Sequence, residues 1–214
     1  MISLCVFLLL AILIAVSVGP VIIPFQQTLA IIFESFSVNT GLSFTVRDQV
    51  VIMDIRLPRV LVGALVGASL GISGAVMQGI FRNPLVEPGY IGVSSGAAVG
   101  AVLAIFFGWV QYSKWILPGA AFAGAAVSLF FILVVWQASR KSSISTLLLI
   151  GLGMNLFLSA IISVFIASAP NEQELRSIVF WLQGGLEART WEHVQLILPF
   201  IIVSVVLVSF FARE

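Results

Sequence analysis

Long stretches almost free of charged residues constrain the fold of this chain more than any other feature. A helix needs about 20 mostly apolar residues to cross a bilayer. Lipid offers no hydrogen-bonding partner to the backbone, so such segments cross the membrane as helices. The sequence therefore predicts an all-α, polytopic transmembrane helical bundle with six spans, at residues 2–18, 60–80, 91–107, 116–136, 146–166 and 191–211.

The composition argues against a soluble fold. Hydrophobic residues make up 60% of the chain and charged residues 9%, whereas a soluble domain is about a quarter charged. Apolar side chains must therefore face a lipid bilayer, and residues 1–214 are predicted to form a single transmembrane domain. The net charge of +1 provides no basic surface for a nucleic-acid partner.

The chain lacks the residues that catalysis or metal binding would require. It has one cysteine, Cys5, and one histidine, His193, so a His/Cys metal site is not expected. The sequence contains no P-loop motif, which argues against ATP hydrolysis by this chain. We expect no enzyme activity, no metal and no cofactor.

The basic residues leave the orientation in the membrane open. Cytoplasmic loops usually carry the excess of Lys and Arg. With six spans, one set of loops carries four such residues and the other carries six, which does not place the first set inside the cell. The first set is Arg82, Arg140, Lys141 and Arg213, and the second is Arg47, Arg56, Arg59, Lys114, Arg176 and Arg189.

Arg56 and Arg59 flank Pro58 immediately before the second span. Proline suits the first position of a helix, so the helix is predicted to begin at about Pro58. Both cations would then lie at the positive end of the helix dipole, where each is unfavourable by up to about 1 kcal/mol. A nearby carboxylate, a lipid phosphate or an acidic partner would compensate them. From these residues alone, anchoring at the membrane interface and docking of a partner both remain open.

The second span carries a stripe of glycines. Gly63, Gly67 and Gly71 recur every four residues, and Gly74 follows. Small residues at this spacing let another helix backbone approach closely. The stripe therefore predicts helix packing rather than ligand binding.

Two prolines and a glycine interrupt the apolar pattern in the segment 82–89. They rule out a continuous helix and predict a turn. The turn lies at the surface or, if it enters the bilayer, lines a cavity. Gln78, one helical turn earlier, is a polar residue at membrane depth with either a packing or a pathway role. Further along, the mixed segment 171–182 predicts a short interfacial helix rather than a seventh span.

Several motifs occur in a distinctive order. They are Arg56-Leu-Pro-Arg59, Ser73-Gly-Ala-Val-Met-Gln78, Arg82-Asn-Pro-Leu85, Pro88-Gly89, Ile91-Gly-Val-Ser-Ser-Gly-Ala97 and Trp181-Leu-Gln-Gly184. Together they resemble the FecCD-type ABC importer permeases, which move iron–siderophores, haem or cobalamin. The resemblance covers the chain from about Leu57 to Glu214.

The resemblance implies a permease subunit of ten spans in a bacterial inner membrane. It implies a second permease subunit, most simply in a homodimer, together with cytoplasmic ATP-binding subunits and an external substrate-binding protein. This chain would correspond to the first six helices and would stop before the cytoplasmic coupling loop. Both termini would be cytoplasmic.

The resemblance also implies roles for individual residues. Arg56 and Arg59 would lie on the outer side and pair with glutamates of the binding protein. Gln78, Asn83, Pro84 and Asn155 become candidates for the pathway or its gate.

A different class of function remains open. The chain could form half of an ion-driven secondary transporter or channel, or a membrane scaffold that transports nothing. Ion-driven transporters usually carry an ionisable residue within the membrane, and the middle portions of the six predicted spans contain none. This pattern favours the ABC permease.

Overall fold

The computed structural model describes residues 2–139 and 143–211. Arg140, Lys141 and Arg213, which entered the loop count above, lie outside these residues. The described backbone is helical and contains no β-strand within those two ranges. Its helices are α1 (Ile2–Ser17), α2 (Phe25–Ser35), α3 (Val46–Val50), a π-helical segment (Val51–Arg56), α4 (Leu57–Phe81), α5 (Val93–Phe106), α6 (Ile116–Ala138), α7 (Ile144–Ala167), α8 (Glu172–Gln183) and α9 (Trp191–Phe211).

Among the described residues, four helical stretches are long and apolar enough to cross a membrane. They are Val46–Phe81, Ile116–Ala138, Ile144–Ala167 and Trp191–Phe211. The first and third predicted spans correspond to α1 and α5, which have 16 and 14 residues. At about 1.5 Å per residue, helices of this length fall short of a hydrocarbon core of about 30 Å. The predicted count of six spans is therefore not confirmed.

The second span begins earlier than predicted. Thr45 and Asp48 form a capping box, in which each side chain accepts a hydrogen bond from the backbone N–H of the other. The helix that starts there passes through the π-helical segment into α4, so one helical stretch runs from Val46 to Phe81. Pro58 is fully buried inside this stretch. The prediction of a start at Pro58 is wrong because a π turn accommodates the proline within a helix that is capped at Thr45.

The chain divides into two compact units, with the boundary inside α4. The first unit contains the residues up to Ile72 and those from Leu186 onward. Its core consists of Val16, Ile23, Ile31 and Ile52. Because these side chains come from α1, the following loop, α2 and the π-helical segment, they join the start of the chain to the long helix.

The second unit, Ser73–Gly185, is built around α5. This helix packs against α6, α7 and α8, and Val102 and Ile105 on it form a buried cluster with Ile178 on α8. The amphipathic pattern of 171–182 correctly predicts a short helix, which the structure places at Glu172–Gln183. Asn171 caps this helix by accepting a hydrogen bond from the N–H of Glu174 at 2.9 Å.

Candidate functional site

Arg56 binds the end of α1 within the chain. Its guanidinium donates hydrogen bonds to the carbonyl oxygens of Val16 (3.1 Å), Ser17 (2.9 Å) and Val21. The residue is 7% exposed. Two of the three acceptors are the last carbonyls of α1, which lack donors within the helix and carry the negative end of its dipole. Arg56 is therefore compensated within the chain.

Gly19 makes room for this cation. A Cβ atom at Gly19 would lie 2.7 Å from the Arg56 Cζ atom and 2.8 Å from Nε. Because these distances are shorter than van der Waals contact, any larger residue at position 19 would displace the guanidinium. The loop after α1 is thus shaped around the side chain of Arg56.

Arg59 has a different environment. Its side chain is exposed, although it lies only three positions after the buried Arg56. The two arginines, which were predicted to act together, therefore lie in different environments. The burial of Arg56 and its three hydrogen bonds to backbone carbonyls favour Arg59 for docking. The docking role stays a prediction for both arginines.

Gln78, Asn83 and Pro84 form one local group at the end of α4. The Gln78 Nε2 atom donates to the Pro84 carbonyl at 3.1 Å, and the Asn83 Oδ1 atom accepts from the Leu85 N–H at 2.9 Å. These bonds shape the turn that the two prolines predicted. The three residues are exposed, so they remain accessible to a ligand or partner.

Asn155 belongs to a second polar group, centred on the 3₁₀ turn Pro88–Ile91. Its Nδ2 atom donates to the Gly89 carbonyl at 2.8 Å, and its Oδ1 atom accepts from the Ser95 hydroxyl at 2.7 Å. One side chain on α7 thus holds both the turn and the first helical turn of α5. Sequence reasoning identified Asn155 but missed Ser95.

Glycines bring the elements of this second group together. A Cβ atom at Gly151 of α7 would lie 2.6 Å from the Tyr90 carbonyl oxygen. Gly92 adopts a φ of 79°, which side-chain-bearing residues rarely adopt, and its carbonyl accepts from the Ser128 hydroxyl of α6 at 2.9 Å. The turn can therefore approach α6 and α7 only with glycine at these positions.

Substitution of Asn155 by aspartate is expected to destabilise the chain by about 1–3 kcal/mol. Aspartate keeps the shape of the side chain but loses the donor to the Gly89 carbonyl, which would then face a carboxylate oxygen. The measurement is thermal unfolding of the purified protein in detergent. The matched control is Ser95→Ala, which removes only the other hydrogen bond and should cost less. Equal losses in both variants would contradict the assigned role of Asn155.

The closest helix contact in the second unit lies between α5 and α6. Cβ atoms at Gly96, Gly100 and Gly124 would overlap atoms of the facing helix, including the carbonyl oxygen of Ala120. Small residues recur at intervals of four along both helices, at Gly96 and Gly100 and at Ala120, Gly124 and Ser128. This spacing is the signal by which sequence reasoning could have found the contact.

Most glycines of the α4 stripe have no close neighbour among the described residues. A Cβ atom at Gly63 would lie 3.1 Å from Leu186 Cδ1, whereas one at Gly67, Gly71 or Gly74 would have no atom of the described residues within 4 Å. Packing of a helix against the last three therefore stays a prediction, and its partner would lie outside the described residues.

An open apolar groove of about 440 Å³ runs between α5, α6 and α7. Its walls include Leu103, Trp109, Val127, Phe131 and Phe157. The one hydroxyl among its lining residues, that of Ser128, already donates to the Gly92 carbonyl. The groove therefore suits an apolar occupant.

Comparison with known proteins identifies the family. A model of the FecCD transport family matches residues 7–214. The cobalamin import system permease protein BtuC of Halobacterium salinarum is 42% identical over 166 residues, covering 78% of this chain and 44% of that protein. The uncharacterised ABC transporter permease protein YvrB of Bacillus subtilis is 39% identical over 215 residues, covering 97% of this chain and 59% of that protein. The chain thus spans about half the length of the curated relatives it matches.

The fold agrees with this comparison. A solved structure, described as an inward-facing conformation of a metal-chelate type ABC transporter, matches with a TM-score of 0.79 at 33% identity. The match covers 97% of this chain and 60% of that chain. Three observations agree: the helices are long enough to span a bilayer, the motifs occur in the order typical of the family, and the family model matches residues 7–214. This chain is a multi-pass membrane protein and belongs to the FecCD transport family.

Proposed function

We propose that this chain forms part of the translocation pathway of an ABC importer for cobalamin or an iron complex, such as a siderophore or haem. The family match over residues 7–214 carries the proposal. An external binding protein delivers the ligand, and a second permease subunit completes the pathway. Separate cytoplasmic subunits hydrolyse ATP and switch the permease between outward-open and inward-open states. The complex resides in the inner membrane of a bacterial cell.

The apolar character of α6 and α7 supports this proposal. Neither helix contains Asp, Glu, Lys or Arg, and large side chains on α7 such as Leu149, Leu156 and Phe157 are exposed. Ion-driven transporters need an ionisable group within the membrane to couple transport to the ion. These two helices offer none, which favours an energy source other than an ion bound between them.

The polar group around Asn155 provides a candidate moving part. Because Asn155 ties the turn at Gly89 to α7, a displacement of α7 between conformations carries this turn with it. In this proposal α7 and the turn move as one element and act as part of the gate. Gln78, Asn83 and Pro84 line its approach.

Charge reversal of Arg59 to glutamate is expected to weaken docking of the binding protein at least about tenfold, because repulsion replaces attraction at the interface. The measurement is a titration of the binding protein onto the reconstituted transporter at low salt, where surface charges are least screened. The control is Arg82→Glu, at an exposed arginine expected on the opposite side of the membrane. Unchanged affinity in the Arg59→Glu variant would contradict the docking role.

Deletion of the gene tests the overall function. We expect the deletion strain to lose uptake of radiolabelled cobalamin, ferric siderophore or haem, and a plasmid copy to restore it. The identity of the lost ligand assigns the substrate. Normal uptake of all three ligands in the deletion strain would contradict the proposal.

A further inference from the structure

The long helix Val46–Phe81 changes its hydrogen-bonding pattern just before Pro58. Residues Val51–Arg56 form a π-helical segment, and the N–H of Leu57 donates to the carbonyl of Ile52, five residues earlier. A proline inside a helix has no N–H and its ring clashes with the carbonyl four residues earlier. The wider π turn relieves that clash and lets the helix continue into α4.

In this arrangement the carbonyl of Met53 has no backbone N–H to bond. In an α-helix its donor would be the N–H of Leu57, which is bound to Ile52. In a π-helix its donor would be the N–H of residue 58, which is a proline. Either pattern thus leaves the Met53 carbonyl without a backbone donor.

Trp191 supplies the missing donor. Its indole Nε1 atom lies 2.9 Å from the Met53 carbonyl oxygen and donates to it. Trp191 is the first residue of α9 and is half-buried. Since a buried carbonyl without a partner is unfavourable, this bond ties the start of α9 to the π-helical segment within the first unit.

We propose that Pro58 and Trp191 form a latch that holds the π-helical segment. Pro58 leaves the Met53 carbonyl without a backbone donor, and the indole of Trp191 supplies one. The segment ends at Arg56, and Arg59 lies in the α-helical part that follows. Here Arg56 is buried against the end of α1 while Arg59 is exposed. The latch therefore holds the segment that carries the buried Arg56, and it does not depend on which ligand is transported.

A double-mutant cycle tests the latch on the purified full chain in detergent. Trp191→Phe keeps an aromatic ring but removes the donor, and it should lower the unfolding midpoint by about 2–4 °C. Pro58→Ala restores a backbone N–H that can bind Met53. In that background Trp191→Phe should shift the midpoint by less than about 1 °C. The same shift in both backgrounds would mean that Trp191 acts only through packing, and would overturn the proposal.

The exchange rate of the Trp191 indole proton gives a second readout that packing alone would not change. We expect slow exchange in the wild-type chain and at least about tenfold faster exchange in Pro58→Ala, where the indole loses its acceptor to the backbone. The signal is assigned by its absence in Trp191→Phe, and the exposed Trp115 serves as a control whose rate should not depend on residue 58. If Pro58→Ala does not fold, the wild-type rate still decides, because fast exchange of the Trp191 proton there would overturn the latch.

Discussion

Replacement of Arg56 by methionine is expected to lower the free energy of unfolding by about 3 kcal/mol or more. Hydrogen bonds to a charged group each contribute about 1.5–3 kcal/mol, and this guanidinium donates to three carbonyls. Methionine fills similar space but leaves those carbonyls without donors in a buried site. Thermal or denaturant unfolding in detergent measures the loss.

Three related variants sharpen this test. Arg59→Met, at the exposed arginine, should change stability by less than about 0.5 kcal/mol. Arg56→Lys should fall in between, because one ammonium cannot match the fork of donors of a guanidinium. Gly19→Ala should cost less than Arg56→Met, because its methyl group would lie 2.7 Å from the guanidinium carbon but the flexible arginine side chain can shift while keeping part of its hydrogen bonding. If Arg56→Met and Arg59→Met cost the same, the assignment of Arg56 to α1 is wrong.

Substitutions at the two arginines should therefore have different effects. Substitutions at Arg56 act on folding, and any loss of transport follows from the loss of folded protein. If Arg59 has the proposed docking role, substitutions there should leave folding intact and weaken docking. Measuring stability and affinity for the same set of variants distinguishes these roles.

Substitution of Gly100 by alanine is expected to destabilise the second unit by about 3 kcal/mol, at the upper end of the usual cost of overpacking. The added methyl group would overlap the carbonyl oxygen of Ala120. Backbone atoms cannot turn aside as a flexible side chain can, so α5 and α6 must move apart along their contact. Thermal unfolding in detergent measures this loss.

Gly67→Ala is the matched control on α4. A Cβ atom there has no atom of the described residues within 4 Å, and alanine forms helix better than glycine by about 1 kcal/mol. This variant should be as stable as the wild-type chain or slightly more stable. If Gly67→Ala destabilises the isolated chain as much as Gly100→Ala does, the assignment of the close contact to α5 and α6 is wrong.

The same control variant also tests the glycine stripe. If Gly67→Ala leaves the isolated chain stable but abolishes uptake in cells, the stripe packs against a surface beyond the described residues. If uptake is unchanged, the stripe has no packing role at Gly67.

Elements with a strong local signal were predicted well. The apolar runs that became α6 and α7 differ from the predicted spans by no more than two residues at either end, and α9 matches at both ends. The short helix α8 was also found, because its polar cap and amphipathic pattern are local. The family followed from motifs whose order is written in the chain.

Features that depend on contacts distant in sequence were not predicted. Arg56 bonds to carbonyls 35 to 40 positions away, and Trp191 donates to a carbonyl 138 positions away. Pro58 was interpreted as the start of a helix. A proline at the first position of a helix and a proline that follows an internal π turn look the same in the sequence, so the local pattern could not distinguish them. Only the tertiary structure shows that a donor from α9 makes the internal position acceptable.

The sequence by itself determined the helical class, the membrane character and most helix boundaries, because the bilayer selects apolar helices whatever their neighbours are. The tertiary structure decided which glycines pack and which arginine is buried. Those outcomes depend on which surfaces meet, and residues of the same type at similar spacing gave no local signal to distinguish Gly100 from Gly67 or Arg56 from Arg59.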